Sequence, residues 1–326
     1  MQYKSLGRTG TRVSELCLGC MMFGGRTDEA ASFDIIDWAI DSGINFVDTA
    51  NVYSRGASEE VVGRALKRNG QRDSVVLATK VHGRMDDEVP TPRATRRHVI
   101  QQCEASLRRL QTDHIDLYQI HRPDSQIPID ETLRALDDLI HAGKVLYAGT
   151  STFAAWQVVD SLWASKELGL NRVVTEQPPY HLLDRRIERE LVPVAQTYGL
   201  ALIPWSPLAG GFLTGKYRRE EVSPEGSRYG LEPRRMGRNH FTEKTFAVVE
   251  AIEAIATEKG CTPGQIALAW CKVQPGITSP IIGPRTMEQL EDNLSAASVE
   301  ITEEDRERLD EVAPPGRASV ASCTAP

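Results

Sequence analysis

Eight short apolar runs recur along the chain, and a helical pattern separates each from the next. No other feature limits the fold as much. The runs are ELCLG (15–19), INFVDT (44–49), SVVLATK (74–80), HIDLYQIH (114–121), KVLYAGTS (144–151), RVVTEQ (172–177), LALIPWS (200–206) and ITSPIIG (277–283). Between them apolar residues return at helical spacing. Phe33, Ile36 and Ile40 form one stripe, closed by Gly43; Val99, Cys103, Leu107 and Leu110 form another. Neighbouring parallel strands need a crossover, and strict β-α alternation supplies one each time. Eight such units fill a closed (β/α)8 TIM barrel better than an open sheet. A doubly wound dinucleotide fold calls for G-x-G-x-x-G after its first strand, and LGCMMFGG lacks that spacing. Residues 1–14 read as a β-hairpin turning at Thr9-Gly10 and capping one barrel end. We expect a single domain over 1–326, with an extra helix after the eighth unit. A lid is expected at 217–240, which is too long and too rich in Gly, Pro and Arg for an ordinary connection. The small-residue stretch 313–326 reads as a mobile tail.

A formal net charge of −7 excludes a dedicated nucleic-acid binder, which needs clustered Lys and Arg. No uncharged apolar run is long enough to span a bilayer, and the N-terminus has no signal-like apolar core. A cytoplasmic chain with no membrane association follows as the expectation. The six cysteines offer one suggestive pair, Cys17 and Cys20, but positions three apart on a strand face opposite sides. No second pair or His pair completes a zinc set, so no metal is expected.

In a (β/α)8 barrel the chemistry gathers at the C-terminal strand ends. Here those ends carry Asp48, Lys80, His121, Ser151, Gln177 and Ser206, with Tyr53 just past the second strand. Asp48 can hold Lys80 charged. A lysine ammonium favours phenolate and eases proton release from a tyrosine, whose ordinary pKa lies near 10. His121 can donate a hydrogen bond to a carbonyl oxygen. Together these groups would polarise a carbonyl and give it a proton. No side chain supplies hydride, so a nicotinamide must.

These residues resemble the aldo-keto reductases. The resemblance runs along nearly the whole chain, through GINFVDTANVY, VLATK, HIDLYQIHRPD, AGTSTF, QPPYHLLDR, PWSPLAGGFLTGKY and GPRTMEQLEDN. It implies a catalytic tetrad of Asp48, Tyr53, Lys80 and His121, with Tyr53 as general acid. It also implies that Trp205 stacks on the nicotinamide while Ser151 and Gln177 hold its carboxamide. Thr152 stands where many members have asparagine, a departure at one carboxamide contact. The GTS motif and the tryptophan before SPL are closer to the bacterial and channel-β-subunit branches.

The segment GGFLTGKY (210–217) has P-loop spacing, yet Tyr217 follows where Ser or Thr would hold magnesium. By the resemblance this loop, with Ser206, Pro207, Leu208, Gly210 and Lys216, runs along the cofactor pyrophosphate. Cys20, Met21, Gly283 and Arg228 join the implied cofactor contacts. Arg285 is placed to pair with a 2′-phosphate, with Gln289, Asp292 and Asn293 near the adenosine, so the expected cofactor is NADP(H). Met22, Phe23, Tyr53, His121 and Tyr229 line the expected substrate pocket.

The resulting expectation is an NADPH-dependent reductase of an aldehyde or ketone, acting as a monomer or weak homo-oligomer. A second reading is a regulatory subunit that senses NADP(H) with little turnover. His121 separates the two, since the resembled channel β-subunits carry asparagine there. Arginines 218, 219, 228, 234, 235 and 238 crowd the expected lid. Both an anionic keto sugar and a bulky neutral ketone stay open as substrates.

Overall fold

The computed structural model describes residues 1–83, 85, 93–219 and 241–319. The chain opens with the expected hairpin. Strand β1 (Tyr3–Ser5) pairs antiparallel with β2 (Arg12–Ser14), and Leu6 N–H donates to Thr11 O at 2.9 Å across the turn.

Eight parallel strands follow: β3 (Cys17–Gly19), β4 (Phe46–Asp48), β5 (Val76–Val81), β6 (Ile115–Ile120), β7 (Val145–Ser151), β8 (Val173–Gln177), β9 (Ala201–Leu202) and β10 (Ile281–Ile282). Their order is β10-β3-β4-β5-β6-β7-β8-β9. The last segment joins both edges. Ile281 pairs with Cys17 on one side, while Ile281 N–H donates to Pro204 O at 2.8 Å and Thr278 N–H to Leu202 O at 2.9 Å on the other. The sheet is therefore a closed barrel.

Each crossover is helical: α1 (Glu29–Asp41), α2 (Ala57–Asn69), α3 (Arg96–Leu110), α4 (Ile129–His141), α5 (Ala155–Leu168) and α6 (Leu191–Tyr198) follow β3 to β8 in turn. Helices α7 (Glu243–Lys259) and α8 (Pro263–Val273) separate β9 from β10, α9 (Met287–Ser295) follows β10, and α10 (Glu303–Val312) is the extra helix. Their starts follow from sequence. Asp28, Thr95, Thr262, Thr286 and Thr302 each accept a backbone N–H from the first turn of the helix they precede.

Two apolar layers result. The larger lies between the strands and helices. The smaller fills the barrel interior with Cys17, Phe46, Val76, Ala78, Leu117, Ala201 and Ile203, and the hairpin's Leu6 and Val13 close it. Cys17 thus faces inward and Cys20 outward, as strand periodicity requires. The two thiols do not share a face.

Two expectations need correction. Residues 313–319 are not a mobile tail. Arg185 donates to Ala313 O at 2.6 Å, Arg185 N–H to Arg317 O at 2.8 Å, and Ser319 N–H to Leu183 O at 2.9 Å, so this segment lies against the loop after β8. Residues 320–326 are outside the described part. The lid, likewise, does not begin at 217. Tyr217 is buried and stacks on Phe212, Arg218 pairs with Glu253, and Arg219 pairs with Glu243 and Glu250 on α7. These two arginines are occupied by carboxylates. Residues 220–240, with Arg228 and Tyr229, are outside the described part.

Candidate active site

The side-chain period of two carries the barrel interior upward into a cluster of polar groups. Two residues beyond Phe46 stands Asp48, two beyond Ala78 stands Lys80, and two beyond Leu117 stands Gln119. The same step runs from Gln119 to His121 and from Ile203 to Trp205. Strand β8 reaches the site by a different device. Ala148 pairs with Val173 but Gly149 pairs with Thr175, leaving Val174 as one extra residue in a bulge. The extra residue reverses the facing of everything after it. Gln177, which simple alternation from outward-facing Val173 would turn outward, is brought inside.

At the centre Lys80 is fully buried and its ammonium makes three hydrogen bonds. It donates to Asp48 Oδ1 at 2.5 Å, to Thr49 O at 2.7 Å and to the Tyr53 hydroxyl at 3.3 Å. The other Asp48 oxygen accepts from the amides of Gln177 at 3.0 Å and Gln119 at 3.3 Å. Burial pulls the Lys80 ammonium down, but the Asp48 carboxylate and the Tyr53 oxygen more than offset this, and it ends at about 12. The lysine is a fixed cation. Burial pushes the Tyr53 phenol above its usual range, and the pull of Lys80 in the other direction does not overcome it. The expected easing of proton release is thus present in sign and outweighed in size.

Tyr53 sits on a sharp turn. Ser54 and Arg55 both adopt left-handed backbone, φ +48° and +54°, a conformation unfavourable for residues with a Cβ. The His121 ring meets the tyrosine edge-on, with centroids 5.8 Å apart. Burial, then the nearby cations Lys80 and Arg122, hold the His121 imidazole well below its ordinary range. It is neutral at neutral pH and keeps one N–H to donate.

Beside this centre, Ser151 Oγ donates to Gln177 O at 2.9 Å and approaches Thr152 Oγ1 at 3.4 Å. Thr152 itself is left-handed, φ +62°. The half-buried Trp205 leaves its buried indole Nε1 without a hydrogen-bond partner.

The loop after β9 turns tightly on itself. The N–H groups of Ala209, Gly210, Gly211, Leu213 and Gly215 donate to Ser206 O, Ser206 Oγ, Leu208 O, Leu208 O and Phe212 O. The loop also carries the expected Lys216. A Cβ on Gly211, which has φ +92°, would come within 2.6 Å of Lys216 Nζ, so glycine is what lets the lysine lie along the loop. Burial and then the Arg285 guanidinium lower the Lys216 ammonium's pKa. Two cations close enough to repel suit an anion between them. Arg285 N–H donates to Gln289 Oε1 at 2.9 Å, and Asp292 Oδ1 accepts from Thr262 and Gln265. Asn293 is buried, and Gly283 is open, with nothing near an added Cβ.

The residues present therefore fit a dinucleotide: an unpartnered indole donor at one end and paired cations at the other. Two implied contacts fare differently. Phe23 is fully buried in the outer apolar layer and offers a substrate no surface, while Met21 and Met22 are half-buried. The Cys20 thiol is also fully buried there. Gln119 was not anticipated. Its position two residues before His121, on the same strand face, was the available signal. Among the described residues no group of three or more His, Cys, Asp or Glu could hold a metal ion, and no helix is long and apolar enough to cross a membrane.

Comparison with known proteins agrees with this geometry. The model of the Aldo/keto reductase family matches residues 15–314. The chain is 40% identical to an uncharacterized oxidoreductase, YrpG, of Bacillus subtilis (strain 168), covering 96% of each chain. It is 37% identical to a probable voltage-gated potassium channel subunit beta of Oryza sativa subsp. japonica, covering 92% of each. It is 34% identical to versiconal hemiacetal acetate reductase of Aspergillus parasiticus, covering 95% of this chain and 96% of that one.

Proposed function

The chain belongs to the Aldo/keto reductase family, and from that premise we propose that it is an NADP(H)-dependent reductase of a small-molecule aldehyde or ketone. The observation that carries the proposal is the buried relay in which Asp48 fixes Lys80 and Lys80 meets the Tyr53 hydroxyl at 3.3 Å. Bound nicotinamide supplies the hydride that carbonyl reduction requires. Tyr53 gives its proton to the carbonyl oxygen, and the fixed charge of Lys80 stabilises the phenolate left behind. Burial keeps the phenol protonated beforehand, which suits an acid acting in the reductive direction. His121, neutral and beside the tyrosine ring, donates its N–H to the same oxygen. Ser151, Thr152 and Gln177 would hold the carboxamide, Trp205 would cover the nicotinamide ring, and Lys216 and Arg285 would take the phosphates.

Two of the relatives are a channel subunit and a hemiacetal acetate reductase by name. The regulatory reading therefore stands as the competitor, and His121 favours turnover. The test is loss of absorbance at 340 nm with NADPH and a panel of aldehydes, diketones and keto sugars. Tyr53→Phe should cut kcat by about 10²–10⁴-fold with NADP+ affinity nearly unchanged. Tight NADPH binding without turnover on any carbonyl would favour the regulatory subunit. Turnover unaffected by Tyr53→Phe would remove Tyr53 as the acid.

A further inference from the structure

One fully buried carboxyl group takes no part in the proposed chemistry. Glu176, next to Gln177, points to the outer side of β8, because the bulge at Val174 that turns Gln177 inward turns its neighbour outward. Its Oε1 accepts the backbone N–H of Phe153 at 3.1 Å. Its Oε2 is buried and has no partner. Burial pushes the carboxyl up to about 8, against the opposing pull of the nearby Thr150 hydroxyl and the Phe153 and Thr152 N–H groups. A group this unfavourable to bury is not explained by packing, since an apolar side chain would fill the place at less cost.

The segment it holds is the turn after β7. Ser151 Oγ and Thr152 N–H both donate to Gln177 O, at 2.9 and 3.1 Å, and Phe153 N–H donates to Glu176. Two consecutive residues of β8 thus clamp three consecutive residues of the turn. Thr152, in the middle, is left-handed, a conformation that a residue with a Cβ keeps only when its surroundings impose it. Phe153 is buried in the outer layer and α5 begins two residues later.

We propose that Glu176 is a positioning residue for the nicotinamide end of the cofactor site: its carboxyl oxygen, through Phe153 N–H, holds the left-handed turn that presents Ser151 and Thr152 to the carboxamide. The proposal rests on the NADP(H) reading above. It differs from a purely structural role in being local, so that the adenosine-phosphate end, at Lys216 and Arg285, is left alone.

The experiment compares wild type, Glu176→Gln, which keeps an acceptor oxygen, and Glu176→Met, which keeps the volume without one. Each binds NADP+ and, separately, 2′,5′-ADP, with affinities read from intrinsic tryptophan fluorescence or calorimetry. Amide hydrogen exchange at Phe153 is followed without ligand. Glu176→Met should weaken NADP+ binding by about tenfold, the usual effect of one lost hydrogen bond. It should leave 2′,5′-ADP within about twofold, and expose the Phe153 amide to faster exchange. Glu176→Gln should stay close to wild type in all three. Unchanged NADP+ affinity in Glu176→Met, equal loss of both ligands, or a Gln variant as weak as the Met variant would overturn the proposal. A wild type that binds neither nucleotide would instead refute the cofactor reading, and this proposal with it.

Discussion

Replacing Lys80 with methionine removes one charge while nearly conserving volume, and so isolates what the buried cation contributes. In the wild type the ammonium is shared among Asp48 Oδ1, Thr49 O and the Tyr53 hydroxyl at 2.5, 2.7 and 3.3 Å. Methionine offers none of these bonds. Asp48, only 2% exposed, is then left with two amide donors on Oδ2, from Gln177 and Gln119. Breaking a buried pair from one side costs about 3–5 kcal/mol. The two surviving amides keep the loss near the lower bound, so Lys80→Met should be less stable by about 3 kcal/mol in urea unfolding at pH 7. Removing both charges together is a different perturbation. Asp48→Asn/Lys80→Met leaves no uncompensated ion, and should lie within about 1–2 kcal/mol of wild type, so it recovers about 1–2 kcal/mol of the single variant's loss. Both variants should be inactive as reductases, because neither gives Tyr53 its cation. A single-variant loss under about 1 kcal/mol, or a double variant no more stable than the single, would refute the account of Lys80 as the partner that makes Asp48 tolerable.

Glu176→Gln tests the buried carboxyl by pH. Its carboxyl titrates near 8 in the folded chain against an ordinary 4.5. The folded state therefore holds this proton longer, and wild-type stability is lost as pH rises from about 4.5 to about 8, at up to roughly 1.4 kcal/mol per pH unit. Glutamine does not titrate, so the variant's advantage should be small at pH 5 and grow to several kcal/mol by pH 8; urea midpoints that show a flat or shrinking advantage contradict this. Gly149→Ala tests the barrel interior. The added Cβ would lie 2.2 Å from Thr175 Oγ1 and 3.0 Å from Gln119 Cγ, backed by Leu117 at 3.2 Å. Overpacking of this kind costs about 1–3 kcal/mol, and a thermal melt coincident with wild type would show that the interior yields.

Much of the fold was legible because it rests on local rules. Period-two strands alternating with period-3.6 helices demand parallel neighbours, and eight repeats close on themselves, as Thr278, Ile281, Leu202 and Pro204 do here. The strand ends then name the candidate residues without any knowledge of distance: Asp48, Lys80, His121, Ser151 and Gln177 all follow from where the apolar runs stop. The glycines and lysine of GGFLTGKY pointed to an anion site, and in the fold Lys216 comes near Arg285 while the loop's own carbonyls and the Ser206 hydroxyl take several of its amides.

What local pattern cannot carry is any choice made by a neighbour in space. The bulge at Val174 exists in the pairing of β7 with β8, and it decides both that Gln177 reaches Asp48 and that Glu176 goes under the turn at Thr152. Phe23 looked as fit for a pocket as Met22, and only packing sends it into the outer layer. Residues 313–319 read as a tail because their residues are small and include prolines, yet backbone hydrogen bonds to residues 183–185 hold them. The tyrosine's acidity followed the same division. Its charged partner was foreseeable from sequence; the burial that outweighs that partner is a property of the closed barrel. The sequence by itself determined the architecture and the chemical types at the barrel mouth, because both follow from the order of residues along each strand. Facing, burial and the sign of the titration shifts were decided by tertiary structure, because each depends on which groups the closed sheet brings within a few ångströms.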